Sequence, residues 1–147
     1  MRRRVEAGRI WERGTEWNAV RALLAHEAQT DLGRERAATV EPFTDLLAVQ
    51  AAIETTRQAR LALATSGSPP LPPGADIRPV LDRCRTPGSV LDGPELVQLL
   101  PMLEASPRLQ AYGRSVSAAS PDVAAIAGAL PRFPELASRL GAALDGD

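Results

Sequence analysis

Residues 44–66, TDLLAVQAAIETTRQARLALATS, decide the fold. Val49, Ile53, Thr56, Arg60 and Leu63 follow one another at intervals of four, three, four and three, and Leu46 and Leu47 extend the row backwards. That spacing is the period of one helical face, not the alternation of a strand. Thr44 is expected to start this helix, with Asp45 placing a negative charge in the first turn, where the dipole favours it. Gly67 supplies a stop after Ser66.

The same period recurs on both sides. Upstream, Thr15 is expected to cap a helix whose stripe is Trp17, Val20, Leu24 and Ala28. Residues 1–14 carry Arg2, Arg3, Arg4, Arg9 and Arg13 and read as an arginine-rich extension with Ile10 and Trp11 as apolar anchors. Asp31 is expected to cap a short second helix that Pro42 terminates, because the residue before a proline is pushed out of the α region. Downstream, residues 67–75 hold four prolines and read as an extended connector dividing the helical part into 15–66 and 76–147. Asp76 then caps a helix with the face Ile77, Val80, Leu81 and Cys84, closed by Gly88. Asp92 opens another carrying Leu96, Leu99, Leu100 and Leu103, in which Pro101 predicts a kink or an early stop. Ser120 and Pro121 open a further helix, and the last spans about Pro134 to Leu144 with Leu136 and Leu140. No segment alternates in the manner of a strand. The expected fold is all-α, an irregular bundle of six or seven helices.

Composition agrees. Aromatics are only 3% while hydrophobic residues reach 44%, so leucine and alanine supply the apolar surface, which favours helices over sheets. The 17 basic residues are all arginine and stand beside 18 acids, leaving a net charge of -1 and no basic block of the kind that binds duplexes. The basic start has no apolar run behind it, so it is not a secretory signal, and no run of 18 apolar residues is present to span a bilayer. A cytoplasmic location is the expectation. One cysteine and one histidine cannot build a disulfide framework or a Cys/His metal cage within the chain.

Each residue that could carry chemistry has a plainer reading. His26 lies off the stripe of its helix and reads as solvated. Cys84 continues an apolar face and reads as a small core residue rather than a nucleophile. Arg57 and Arg60, three apart, could hold a phosphate but read as a solvated pair, as do the carboxylates Asp31 with Glu35 and Asp145 with Asp147. Gly33, in TDLGRERA (30–37), could serve a turn, close packing or a phosphate loop. A phosphate loop requires a lysine, and the chain has none. Packing is therefore the assignment, with Gly33 letting its short helix cross close to the neighbouring long one. No catalytic, cofactor-binding or metal-ligating residue is assigned in this chain.

Taken together, WNAVRALLAHEAQTDLGRERAATVEPFTDLLAVQAAIETTRQA (17–59) resembles the start of the core, or lever, domain of the MutS family of DNA repair ATPases. The family pattern is a leucine-rich helix, a Thr-x-x-Gly-x-x-x-Ala/Leu segment, a proline, an aspartate and a long helix, matched by Thr30, Gly33, Ala37, Pro42, Thr44 and Asp45. The segment DIRPVLDRCRTPGSVLDGPELVQLLPMLEASPRL (76–109) is similar to the one after it in the family, through Asp76, Ile77, Gly88 and Leu96. PPLPPGADIRP and the ending GAALDGD place the resemblance nearer the endonuclease MutS type II branch than the mismatch-recognising one. It covers residues 15–147. Residues 1–14 and Pro101 depart from the pattern.

The resemblance implies the first half of a helical core domain. In the family this core carries lever helices to a DNA clamp and couples them to a distant ATPase, with ATP and Mg bound there, and in this branch to a C-terminal nuclease module. The implied parent activities are ATP-dependent binding of branched DNA, suppression of recombination and, in some members, ribosome rescue. The implied partners are the remaining core, clamp and ATPase domains, DNA or the ribosome through the parent, and a second subunit through the ATPase domain, with no membrane. This chain itself would be a non-enzymatic fragment without cofactors, its leucine and alanine stripes covered by further polypeptide. The alternative is a free-standing helical protein–protein interaction module.

Overall fold

The computed structural model describes residues 16–72 and 76–144, which hold seven α-helices and no strand. They are α1 (Trp17–Glu27), α2 (Asp31–Ala38), α3 (Leu46–Ser66), α4 (Arg78–Cys84), α5 (Gly93–Val116), α6 (Pro121–Gly128) and α7 (Pro134–Leu144). The chain forms two compact units. The described part of the first is residues 16–42 with Asp76; that of the second is 43–72 and 77–144. The division thus falls after Pro42, ahead of the long helix.

In the first unit α1 and α2 form a helical hairpin. Trp17 is half-buried and donates from Nε1 to the Val40 carbonyl at 3.3 Å, tying the start of α1 to the end of the segment after α2. Ala37 is its buried apolar residue. The expected cap Thr15 lies outside the described residues; the N-cap is Glu16, held at φ 52 without a side-chain capping bond. At α2 the cap is Thr30, not Asp31. Its Oγ1 accepts from the Gly33 amide at 3.0 Å, while Asp31 occupies the first helical position and pairs with Arg34. A threonine cap satisfies an amide that has no partner within the helix.

The cap also corrects the reading of Gly33. A Cβ there would stand 2.9 Å from Thr30 Oγ1 and 3.4 Å from Ala28 Cβ. The glycine makes room for the cap and the end of α1, not for a crossing by the long helix.

The second unit is built on α3 and α5. Asp45 rather than Thr44 caps α3, accepting from the Ala48 amide at 2.9 Å, and Gly67 ends the helix at φ 74. Asp76 does not cap α4; Ile77 stands there without a side-chain bond, and Val80 is the buried residue of that helix. Asp92 and Glu95 form a reciprocal capping box at the start of α5. Of the kink or early stop expected at Pro101, the stop does not occur: α5 runs for 24 residues through both Pro101 and Pro107. Each proline removes one rung of the ladder at a cost of about 3 kcal/mol. Packing of α5 against α3, α6 and α7 offsets that cost.

The core of this unit consists of small residues: Ala62, Val80, Ala105, Val116 and Ala127, with Gly113 and Ser120. At the crossing of α5 and α6 the contact is closest. A Cβ on Gly113 would lie 2.6 Å from Ala127 Cβ and 3.4 Å from the Ala124 carbonyl oxygen, so only glycine fits. On α5 Leu96, Leu99, Leu100 and Leu103 are half-buried around this core, while several large apolar side chains of α3 stand at the perimeter. Leu46, Leu47, Ile53 and Leu63 on α3 are exposed, at 68, 74, 64 and 48%. The face of α3 turned inward is instead Ala52, Thr55, Gln58, Ala59 and Ala62.

Candidate functional site

Polar groups converge where α3 meets the start of α6. Ser120, fully buried, donates from Oγ to the Gln58 carbonyl at 2.9 Å. The Gln58 side chain, also buried, accepts at Oε1 from the Asp122 amide at 2.7 Å and donates through Nε2 to Glu54 Oε1 at 3.0 Å. Thr55 Oγ1 closes the group by donating to Asp122 Oδ2 at 2.9 Å.

Glu54 leads the group to the surface. Arg57 binds it with two bonds, Nε to Oε2 at 2.8 Å and Nη2 to Oε1 at 2.7 Å. These bonds, then that from Gln58, hold the Glu54 carboxyl down at about 2, and the same pairing raises the Arg57 guanidinium above its ordinary value. No buried side-chain nitrogen or oxygen among the described residues is left without a partner, so the group clasps two helices rather than waiting for a ligand. Further clasps tie α5 to its neighbours: Gln110 Nε2 to the Leu130 carbonyl at 2.7 Å, Ser106 to the Pro131 carbonyl, and Tyr112 OH to the Gly67 carbonyl at 2.9 Å.

None of the sequence candidates is drawn into a reactive arrangement. His26 is solvated and stands 3.4 Å from Glu27. Cys84 is exposed, not a core residue, because Val80 takes the inward position of α4 and Cys84 falls in its last turn. Arg57 is engaged by Glu54, and Arg60 points outward on the exposed row. Asp31 is paired with Arg34. Asp145 and Asp147 lie outside the described residues. Among the described residues no three His, Cys, Asp or Glu side chains gather to hold a metal. A shallow groove of about 290 Å³ between α5 and α7 is lined by Leu103, Pro107, Arg108 and Phe133 among others, with Arg108 held at 3.2 Å by the Glu104 carbonyl. No described helix is long and apolar enough to cross a membrane.

Sequence reasoning missed the Gln58–Ser120–Asp122 group. The one local trace of it is a glutamine and a threonine set near Ala51, Ala59 and Ala62 on one side of α3; the partners Ser120 and Asp122 lie more than sixty residues on.

The described residues form an all-helical frame held by internal polar clasps, and a stretch of this chain is similar to MutS2 proteins. The relatives are each named Endonuclease MutS2, so the chain carries a MutS2-like region. The Lacticaseibacillus casei protein is 33% identical over 89 residues, 60% of this chain and 11% of its own length. Those of Clostridium beijerinckii and Acetivibrio thermocellus are 26% and 34% identical over 97 residues, 66% of this chain and 12% of theirs. The chain therefore matches only about a tenth of the length of these relatives. No protein-family model matches it, and no solved structure does.

Proposed function

We propose that this chain is a structural piece of a MutS2-like protein: a helical core segment that performs no chemistry and supplies packing faces to further polypeptide. The observation that carries the reading is the outer row of α3, where Leu46, Ile53 and Leu63 stand exposed on a helix already packed on its other side. Contiguous exposed apolar surface on such a helix marks a contact face. In this reading ATP and Mg binding, endonuclease activity and DNA or ribosome engagement belong to other domains, and a dimer forms through them. The cytoplasm is the setting.

Sequencing the DNA downstream of codon 147 tests this. A continuing frame encoding Gly-x-x-x-x-Gly-Lys-Ser/Thr is the expected result. A stop in an isolated gene would defeat it in favour of a free-standing helical interaction module, which the same exposed row would also suit.

A further inference from the structure

The outer row of α3 has a register as well as an exposure, with Val49 alone half-buried in it. Leu46, Val49, Ile53, Thr56, Arg60 and Leu63 alternate by three and four without a break, the a and d positions of a heptad repeat. At 1.5 Å per residue the row is about 26 Å long. A 3.5-residue period is what a helix matches when its side chains interdigitate with another helix over several turns. The inward face, centred on Thr55, Gln58 and Ala62, lies on a different side and is already occupied.

Charge narrows the occupant further. Arg60 sits in the row itself, and the nearby Arg57 is bound by Glu54, so Arg60 is the cation that a covering helix would meet. A second copy of α3 does not answer it. Parallel pairing sets Arg60 beside Arg60, antiparallel pairing about the midpoint of the row sets it against Val49, and the row contains no carboxylate. We infer that the outer row of α3 is a coiled-coil seam for a different helix, apolar at its ends, that places an aspartate or glutamate against Arg60. This deepens the proposed function, on which it rests only in taking the face as one to be covered by polypeptide.

The test uses the full chain and two labelled three-heptad peptides, identical except for Glu or Lys opposite Arg60, with binding followed by fluorescence anisotropy. The Glu peptide is expected to bind on the order of tenfold more tightly, and Arg60→Glu to invert the preference. Ile53→Asp is expected to abolish binding with the circular dichroism spectrum unchanged, since Ile53 is 64% exposed. Equal affinities, no binding of either peptide, or a preference unmoved by Arg60→Glu would overturn the seam. So would sedimentation showing a dimer of the chain that Ile53→Asp dissolves. None of these results depends on the coding sequence beyond codon 147, so the seam and the proposed function fail separately.

Discussion

Ser120 and Gln58 are joined across 62 positions of sequence by a hydrogen bond from a fully buried hydroxyl to a main-chain carbonyl, 2.9 Å long. The bond anchors the start of α6 to the middle of α3. Ser120→Ala removes it from a site closed to water and is expected to cost about 1–3 kcal/mol. Chemical denaturation of the two chains measures this; equal midpoints would show that the clasp contributes nothing to stability.

The α5–α6 crossing makes a prediction whose sign opposes helix propensity. Alanine outranks glycine in a helix by about 1 kcal/mol. At position 113, however, the added Cβ meets Ala127 Cβ at 2.6 Å, and overpacking costs about 1–3 kcal/mol. Gly113→Ala is expected to lower the melting temperature, and Ala127→Gly to recover part of the loss in the double variant. Thermal unfolding of the four chains gives the coupling.

Thr30 and Gly33 form the second glycine test. Thr30→Ala deletes the α2 cap and is expected to cost about 0.5–2 kcal/mol. Gly33→Leu is also expected to destabilise, by overpacking worth about 1–3 kcal/mol, because its side chain enters the space of the Thr30 hydroxyl. The two losses should combine to less than their sum, as the melting temperatures of the single and double variants will show.

Acid should loosen the second unit through Glu54. Its carboxyl is held at about 2, below the ordinary 4.5, so the pairing with Arg57 stabilises fully above the ordinary value and is lost as pH falls toward 2. Both partners are solvent-exposed, so the effect is small. Melting temperatures at pH 6 and pH 2 are expected to differ less in Glu54→Gln than in the parent chain.

Cys84 offers a direct check on α4. As an exposed thiol it is expected to react with an aromatic disulfide reagent in the folded chain as fast as in denaturant. Protection by folding would put it back in a core.

The helices were legible in the sequence because their signals are local. The three-four spacing, Asp92 with Glu95, Gly67 and Pro121 each act within a turn or two of chain, and each stands at the helix end or face its residue type implies. What the spacing did not disclose was which side of a helix faces its own unit. On α3 Leu46, Ile53 and Leu63 stand on the exposed side, while Ala52, Ala59 and Ala62 face in with Leu61 half-buried. At Gly113 the same choice of small residues follows from distance, since α5 and α6 brought close there have room only for small side chains between them. Pro101 does not end its helix for a related reason: its local penalty is set against packing that no local pattern reveals. The Ser120 and Gln58 clasp spans too much chain to be seen at all.

A centre made of alanine and glycine changes the kind of damage the molecule can suffer. At Ala62, Ala105, Ala127 and Gly113 almost every replacement adds atoms, so harm arrives as wedging apart and scarcely ever as a void. The α3 side chains Leu46, Ile53 and Leu63 stand at the rim, where shortening them should leave folding intact and show only when something is docked there. A mutational scan along α3 would thus come out inverted, tolerant of truncation at Leu46 and Leu63 and intolerant of Ala62→Leu.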